Sequence, residues 1–379
     1  MPDATWAVRH LAISGLRCWR RLEVGLPEGL VVVHGPNGAG KTSLVEAVTA
    51  ATLGVSPRTP RMAELVRRGA PALHVAAALE VPWAAGAETR EIGYAPGTGR
   101  RLAVDGVPVR ALRAWRRPAA VLVFVPEEMR AVKGPPAARR RGVDRLLEAL
   151  DPGFAAALEA YGEALAQRNA LLRRTRAGGV ADPAGLAPWE AALATHGARV
   201  QTARRAVVAR LARPFADWLE RLGGGGPGLV RLEGSPSALA GVPDDGLRDA
   251  MVARLAETRS RDAAAGMTLS GPHRDDLWIG RGEHDLRRLG SQGEQRTAAL
   301  ALLLAQRTLL EDAGARPVLL LDDVLSELDP DRRRALVAAV SAGGQAILTT
   351  ADDDVRVLVG DHAAAALRVE GGRVAASAS

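Results

Sequence analysis

The stretch that decides the fold of this chain reads Gly35-Pro36-Asn37-Gly38-Ala39-Gly40-Lys41-Thr42. A continuous apolar run, residues 29–33, precedes it and predicts a buried strand, while apolar residues at helical spacing from Thr42 to Leu53 predict a helix after it. The glycines let backbone N–H groups surround phosphate oxygens, and the amino end of the helix adds its dipole. The succession predicts a phosphate-binding loop; the alternative is a glycine-rich turn at the start of a helix.

Two side chains of this loop have predicted roles. We expect Lys41 to reach the β- and γ-phosphates of a nucleotide, where it would serve catalysis as well as binding, and Thr42 to bind Mg²⁺. The remaining loop residues, Gly35 to Gly40, would surround the phosphates with their backbone N–H groups.

A second motif lies near the other end of the chain, where a hydrophobic strand ends in two carboxylates. Residues 318–321 are apolar and are followed by Asp322 and Asp323. We expect Asp322 to hold Mg²⁺ and Asp323 to orient or deprotonate an attacking water. Two acids after a strand also occur as a helix N-cap and a solvated neighbour, which is the alternative interpretation.

Two further short motifs flank this strand. Ser291-Gln292-Gly293-Glu294 opens a predicted helix upstream of it, and Ser326-Glu327-Leu328-Asp329 follows it. In this order, the four motifs resemble those of the ABC-type ATPases. The resemblance implies ATP and Mg²⁺ as cofactors and a dimer that forms on ATP. It also implies that the signature residues Ser291, Gly293 and Glu294 of one subunit meet the nucleotide held by the other, since a helix N-terminus presents N–H groups to an anion.

Within that class, the sequence resembles the RecF family of bacterial recombination mediators over most of its length. Family-like strings occur at residues 64–70, 135–144, 167–172 and 271–276, the last reading Gly271-Pro272-His273-Arg274-Asp275-Asp276. The resemblance implies an ATP-dependent homodimer that binds single- and double-stranded DNA at gaps and works with RecR and RecO proteins to load RecA recombinase. It also implies slow, DNA-stimulated ATP hydrolysis and roles in DNA repair, replication restart and the SOS response.

Three positions depart from the patterns of these families. Leu16-Arg17-Cys18-Trp19 stands where the family usually has an F-R-N-Y-like string, and Arg17 is retained as an expected nucleotide contact. No glutamine lies between Lys41 and Gln167, so a glutamate that follows a buried strand, Glu127 or Glu128, could replace the Q-loop glutamine of ABC proteins. Thr349-Thr350 stands where many ABC proteins have a switch histidine. Ordinary loop sequence is the alternative interpretation of the last two positions.

The order of predicted elements indicates an α/β fold that is interrupted by helices. Long apolar repeats at helical spacing begin at Phe154 and again at Trp189, and they predict two helices of roughly 20–30 residues in an antiparallel hairpin. This order predicts one α/β domain, residues 1–126 and 263–379, split by an inserted helical arm, residues 127–262, and the resemblance implies that the domain is an ABC/SMC-like P-loop ATPase head.

The amino-acid composition further restricts the class of protein to which the chain can belong. The 379 residues are 47% hydrophobic and 25% charged, which is typical of a globular protein and excludes a collagen-like or disulfide-rich scaffold. The single cysteine, Cys18, excludes an internal disulfide. The sequence shows neither a signal peptide nor an apolar stretch of about 18 residues, so we expect a cytoplasmic protein with no membrane partner. The Gly/Ala-rich tail after Gly371 is expected to be frayed.

Charge suggests a partner. A net charge of +7 favours a polyanion such as DNA, with an arginine-rich coding bias as the competing explanation. The arginine runs that would follow a DNA backbone are Arg139-Arg140-Arg141, Arg173-Arg174 and Arg204-Arg205, with solvated helix faces as the alternative. His273 beside Arg274 suggests either a metal site or a hydrogen-bonded structural histidine.

Two rival functions come from other classes. An ABC transporter ATPase subunit would need a membrane partner and would not normally carry a helical insertion of this length. An SMC-type structural chromosome protein would have arms far longer than the predicted insertion.

Overall fold

In the computed structural model of the chain, a parallel sheet carries the phosphate-binding stretch at the carboxyl end of one strand. Four of its parallel strands lie in the order β4 (Leu30–His34), β15 (Ala346–Thr350), β14 (Val318–Asp322) and β9 (Val121–Phe124), with β9 at the edge. Every residue of β4, β14 and β15 is buried, which means that both faces of the sheet are covered there. Strands buried on both faces have continuous apolar sequences, as these strands largely do. Since parallel strands end at the same edge, the residues that follow β4, β14 and β9 come together there.

Two C-terminal strands complete this sheet beyond β4. The first, β16 (Ala363–Glu370), lies parallel to β4, and the second, β17 (Arg373–Ala376), pairs antiparallel with β16. The expectation of a frayed tail after Gly371 is therefore wrong for residues 373–376, since Val374 pairs with Val369, and residues 377–379 lie outside the described residues. A short alanine-rich strand has a weak apolar pattern, and its pairing partner supplies most of its order.

A second sheet is antiparallel and shares a hydrophobic cluster with the helix that follows the phosphate-binding loop. Its strands, in order, are β3 (Trp19–Gly25), β2 (Ala7–Leu16), β5 (Leu73–Glu80), β6 (Ala87–Ala95), β7 (Gly99–Val104) and β8 (Val107–Pro108). Helix α1 (Lys41–Leu53) buries Val48 in the same cluster as Ile13 of this sheet and Val31 of the parallel sheet. Both sheets therefore fix the helix that starts at the loop.

The structure describes residues 4–81, 86–117, 120–178, 183–234, 239, 241–326 and 328–376. The chain divides into a first unit of Met1–Met129, Asp217–Gly225 and Gln292–Ser379 and a second unit of Arg130–Ala216 and Gly226–Ser291. The sequence-based boundaries at residues 126 and 262 differ from this division after the arm. Residues 263–291 lie in the second unit because β10 (Gly228–Glu233) pairs along its whole length with β11 (Asp276–Arg281).

Four long helices lie in the described part of the second unit. They are α4 (Pro136–Leu150), α5 (Phe154–Arg176), α6 (Pro183–Arg221, with its last residues in the first unit) and α7 (Leu247–Ala265), beside a small sheet of β10, β11 and β12 (His284–Asp285). Tyr161 of α5 packs with Leu193 of α6, and Arg168, further along α5, pairs with Glu190, further back in α6. The predicted antiparallel helical hairpin is confirmed, whereas α7 is not predicted from the sequence.

A buried ion-pair cluster joins three helices of the second unit. Arg168 donates to Asp262 at 2.7 Å and to Glu190 at 3.1 Å, and Arg168 and Asp262 are both 0% exposed. Arg168 also donates to the Thr268 hydroxyl at 2.8 Å. A family-like string, residues 167–172, is thus used to hold the helices together.

Two of the arginines expected to follow DNA are also buried in ion pairs. Arg204 makes a bidentate pair with Asp144, at 2.8 and 2.9 Å, and Arg139 does the same with Asp276, at 2.7 and 2.5 Å. Both guanidinium groups are almost fully buried, so neither can reach a DNA backbone. The prediction is wrong for Arg139 and Arg204, while the side chains of Arg141, Arg173 and Arg174 are exposed.

His273 is a structural residue. Its Nδ1 lies 2.6 Å from the Tyr161 hydroxyl and its Nε2 lies 3.0 Å from the Thr268 carbonyl oxygen, so both ring nitrogens are used. Burial lowers the pKa of His273 to about 4, which keeps the ring neutral. A metal ion would have to displace one of these hydrogen bonds, and the metal interpretation is set aside.

The remaining elements include one long helix, α9 (Gln292–Asp312), and several shorter segments. The shorter ones are β1 (Ala4–Thr5), β13 (Ala315–Arg316), α2 (Leu112–Trp115), α3 (Arg130–Lys133), α8 (Leu286–Leu289), α10 (Pro330–Ser341) and α11 (Val355–Val359). Among the helices that the structure describes, none combines the length and the apolar character needed to cross a bilayer.

Candidate nucleotide-binding site

The loop between β4 and α1 closes around the ammonium group of its own lysine. Lys41 Nζ donates to the carbonyl oxygens of Gly35, at 2.6 Å, and Pro36, at 2.9 Å. Burial lowers the pKa of Lys41, and the negative charges of Asp323, Asp322 and Asp353 oppose this shift. Two carbonyl groups of the loop therefore hold the positive charge in place.

Two loop positions require glycine. Gly35 has φ +140°, and a Cβ there would meet the carbonyl oxygen of Val369 in β16. Gly40 has φ +114°, and a Cβ there would lie 2.6 Å from Cys18 Sγ and 2.9 Å from the ring of Trp19, whose indole N–H donates to the Gly40 carbonyl at 3.2 Å. Residues from both sheets thus contact the loop, and no such role for Trp19 is predicted from the sequence.

Asp322 and Thr42 lie side by side at the edge of the sheet. The Thr42 hydroxyl donates to the Asp322 carboxylate at 2.9 Å, and the Thr349 hydroxyl donates to it at 2.6 Å. Burial raises the pKa of Asp322; the hydrogen bonds from Thr349 and Thr42 and the charge of Arg58 act against this rise. A buried carboxylate in such a site favours a cation as its partner.

These residues fit a magnesium ion bound together with phosphates. Magnesium prefers hard oxygen ligands and usually takes one or two protein side chains, with waters and phosphate oxygens as the others. The hydroxyl of Thr42 and the carboxylate of Asp322 supply such oxygens. Within the described residues, no three His, Cys, Asp or Glu side chains form a cluster that could hold a metal ion by themselves.

Asp323 has an unusual backbone conformation. Its φ is +49°, in the left-handed region, and its N–H donates to the carbonyl and hydroxyl oxygens of Thr349, at 3.2 and 3.1 Å. Its carbonyl oxygen accepts hydrogen bonds from Arg296 and from Ser326. A non-glycine residue pays a conformational cost there, which its neighbours offset by fixing the backbone on both sides.

Arg17 is held by a buried carboxylate. Its Nε and Nη2 donate to the two oxygens of Glu46, at 2.9 and 2.7 Å, and its Nη1 donates to the Glu64 carbonyl at 2.8 Å. Glu46 lies on α1 and is 0% exposed. Arg17 is expected from the sequence to contact nucleotide, but Glu46 is not singled out there, although a lone acid among Leu44, Val45 and Val48 is a signal.

One pocket of about 700 Å³ brings most of the predicted site residues together in the first unit. Its lining includes the predicted residues Arg17, Asn37, Gly38, Gly40, Lys41, Thr42, Asp322 and Asp323. It also includes Arg58, for which no role is predicted from the sequence, and Glu127, one of the two glutamates that could replace the missing glutamine. Gly293 and Glu294, at the start of α9, are not among the lining residues, and Ser291 and Gly293 are exposed.

The fold and the phosphate-binding loop define an ABC/SMC-like P-loop ATPase head with an inserted helical arm. A family model described as an AAA domain matches residues 10–76. The chain is 38% identical over 362 residues to the DNA replication and repair protein RecF of Acidothermus cellulolyticus, covering 93% of this chain and 95% of that protein. It is likewise 38% identical over 358 residues to that of Streptomyces avermitilis, covering 92% and 94%. The chain belongs to the RecF family of DNA replication and repair proteins.

Solved structures agree with this assignment. A structure of the recombination mediator protein RecF with ATP, in the RecFOR pathway, superposes with a TM-score of 0.87 at 26% identity, covering 99% of this chain and 98% of that one. An SMC head bound to the C-terminal winged-helix domain of ScpA reaches a TM-score of 0.59 at 14% identity, covering 98% and 97%, and it shares the fold.

Replacing Lys41 tests the phosphate-binding loop. Lys41→Met removes the positive charge held between the Gly35 and Pro36 carbonyls, so ATP affinity should fall by about tenfold or more, which corresponds to a loss of ~1.4 kcal/mol or more. Isothermal titration calorimetry measures the ATP affinity of the variant and of the wild type. Lys133→Met, at an exposed lysine of the second unit, is the matched control and should bind ATP like the wild type. Equal affinity in the Lys41 variant would contradict the assignment.

Proposed function

We propose that this protein is an ATP-dependent DNA-binding recombination mediator that dimerises on ATP and hydrolyses it slowly, with DNA stimulating the reaction. The observation that carries the proposal is the pocket in which Lys41, Thr42 and Asp322 meet. Family membership supports it, because a relative has been solved with ATP in the RecFOR pathway.

Each pocket residue has a proposed role. Lys41 and the N–H groups of the loop bind the phosphates, and Thr42 and Asp322 hold Mg²⁺. A bound magnesium ion neutralises the charge of the phosphates. The Asp323 carboxylate accepts a proton from the attacking water, and its fixed backbone limits where the carboxylate can lie.

We propose that the signature residues complete the site of a second copy of this chain. Ser291 and Gly293 are exposed at the start of α9. The N-terminus of a helix carries a positive partial charge that attracts an anion, and one on the surface can reach a ligand held by another subunit. Ser291, Gly293 and Glu294 would then contact nucleotide only in the dimer, and ATP would hold the two copies together.

The proposed partners follow from family membership. They are single- and double-stranded DNA at gaps, the RecR and RecO proteins, and RecA recombinase, whose loading the protein would promote in repair, replication restart and SOS induction. We further propose residues 127–262 as the arm that distinguishes this chain from plain ATPase heads. A structural SMC-type protein and a transporter ATPase subunit remain the rivals, and family membership favours the mediator over both.

Ser291→Arg tests the composite site. The variant should keep ATP binding in the monomer but lose ATP-dependent dimerisation, because the larger side chain separates the heads. DNA contacts divided between two subunits become continuous only in the dimer, so the variant should also lose the ATP-stimulated part of DNA binding and show a shallower salt dependence. Sedimentation and a gapped-duplex binding assay with and without ATP measure both effects.

The matched control is Ser260→Arg, the same substitution at an exposed position of α7. It adds the same charge and should dimerise like the wild type. Simple electrostatics predicts tighter DNA binding for both variants. If Ser291→Arg dimerises with ATP and keeps the wild-type salt slope, the composite site is wrong.

A further inference from the structure

Arginine side chains surround the last turn of α1, at the opposite end of this helix from the phosphate-binding loop. Three of them donate to carbonyl oxygens there: Arg90 to Ala51 at 3.3 Å, Arg116 to Leu53 at 3.1 Å and Arg100 to Gly54 at 3.3 Å. The last carbonyl groups of a helix lack partners within it, and the helix dipole makes this end negative. Capping of α1 therefore accounts for these three arginines.

Two more arginines stand at the same place without such a role. Arg101 follows Arg100 in β7, and Arg110 comes shortly after β8, the edge strand of the antiparallel sheet. A hydrogen bond from the Val109 N–H to the Leu102 carbonyl, at 2.9 Å, continues the hairpin of β7 and β8. The next residues outward are Arg101 and Arg110, so the hairpin holds these two exposed arginines at neighbouring positions.

Carboxylates near these arginines serve other partners. Glu88 is buried and forms ion pairs with Arg90 and Arg117. Asp105, at the turn between β7 and β8, accepts a hydrogen bond from the Thr89 N–H at 2.7 Å. Among the described residues, no carboxylate forms an ion pair with any of four arginines, namely Arg100, Arg101, Arg110 and Arg116. We call these four residues the arginine corner.

The concentrated positive charge of the arginine corner has a cost for the folded chain. Burial lowers the pKa of Arg100, and the positive charge of Arg116 lowers it further. Like charges at neighbouring positions on paired strands, such as those of Arg101 and Arg110, are destabilising. A polyanion would offset this repulsion, since its phosphates neutralise the cations and release their own counterions.

N–H groups at the arginine corner remain available to such a ligand. Among the described residues, Arg100 uses only Nη1 and Arg116 only Nε in hydrogen bonds to protein, which leaves their other N–H groups. Within the same part of the chain, the side chains of Arg101 and Arg110 have no protein acceptor. Because Arg100 and Arg101 are consecutive in a strand, they point to opposite faces of the sheet, so the donors extend around its edge.

We propose that the arginine corner binds the phosphate backbone of DNA along the edge of the antiparallel sheet. This inference rests on the proposed function, since it assumes that the protein binds DNA. Contacts to phosphate carry no sequence information directly, so this surface positions the DNA without reading its bases. The corner belongs to the first unit, and none of its arginines is among the residues that line the nucleotide pocket.

A double variant, Arg101→Gln with Arg110→Gln, tests the inference in fluorescence-anisotropy titrations of a gapped duplex at several salt concentrations. The loss of two phosphate contacts should weaken binding by about tenfold or more at about 0.1 M salt. It should also reduce the slope of log affinity against log salt by about 2, one for each contact. The matched control, Arg20→Gln with Arg21→Gln on β3, removes the same charge at the opposite edge of the sheet and should bind like the wild type.

Stability separates this role from a structural one. Because the double variant loses neighbouring like charges, its urea midpoint should equal or exceed that of the wild type, whereas the loss of side chains that hold the fold would lower it. Its ATP affinity, measured by calorimetry, should not change. A lower midpoint, an unchanged DNA affinity and salt slope, or an equal loss in the control would each overturn the inference. A wild-type chain that binds no DNA would contradict the proposed function, and the inference with it.

Discussion

Asp323→Asn should bind ATP with the wild-type affinity and hydrolyse it about 10²–10⁴-fold more slowly, the usual reach of general base catalysis. The substitution keeps the size of the side chain and one of its oxygens but removes the basic carboxylate. The backbone bonds to Thr349 and from Arg296 and Ser326 do not involve the side chain, so the position of residue 323 should be preserved. Single-turnover hydrolysis and calorimetric titration measure the two quantities separately.

The dimer supplies a second readout for this variant. If ATP holds two copies together until it is hydrolysed, the Asp323→Asn dimer should persist after the wild-type dimer has dissociated. Asp361→Asn, an exposed acid near the C-terminus of the first unit, is the matched control. A variant that cannot bind ATP would show that Asp323 serves the metal or the structure, and the base would then lie elsewhere.

Arg168→Met should destabilise the second unit by about 3–5 kcal/mol, the usual cost of removing one partner from a buried ion pair. The substitution leaves Asp262, which is 0% exposed, without the cation that faces it at 2.7 Å, and it also removes the pair with Glu190. Urea unfolding followed by circular dichroism measures the loss as a lower midpoint at an unchanged slope.

Arg173→Met is the control, since Arg173 lies on the same helix and its side chain is exposed. It should change the stability little. Under native conditions, Arg173→Met should weaken DNA binding more than Arg168→Met does, because only the exposed arginine can reach a phosphate. A stable Arg168→Met protein that binds DNA poorly would contradict the structural role of Arg168 in the buried ion-pair cluster.

Local motifs allowed much of the fold and the site to be predicted. The loop at residues 35–42 and the strand before Asp322 each carry their own pattern, and the parallel pairing of buried strands then brings them to one edge. The change from strand to long helical periodicity near Phe154 marks the inserted hairpin. In each case, the signal lies within about 20 consecutive residues, which is the range over which periodicity is informative.

Pairs between distant polar residues could not be predicted in this way. Arg17 meets Glu46 across 29 positions and Arg58 meets Glu127 across 69, and the local pattern around a charged residue does not identify so distant a partner. The burial of Arg139 and Arg204 could not be predicted for a similar reason. A run of arginines looks the same in a sequence whether its side chains face DNA or a carboxylate. The strand β17 was missed since alanine carries little strand preference without its partner.

The position of β4 between β15 and β16 has a consequence for synthesis on the ribosome. β4 and its loop are made early, but both neighbouring strands come from the last part of the chain, and the carbonyl of Val369 is what lies against Gly35. Some contacts join residues that are very far apart in the sequence, such as the Val8 amide and the Gln345 side chain, 337 positions away. Forming such a contact costs conformational entropy, because the long segment between the two residues must close into a loop. A nascent chain therefore carries the whole phosphate-binding sequence without a sheet to support it. Any ligand of this loop can therefore stabilise the sheet only in a chain that already contains β15 and β16.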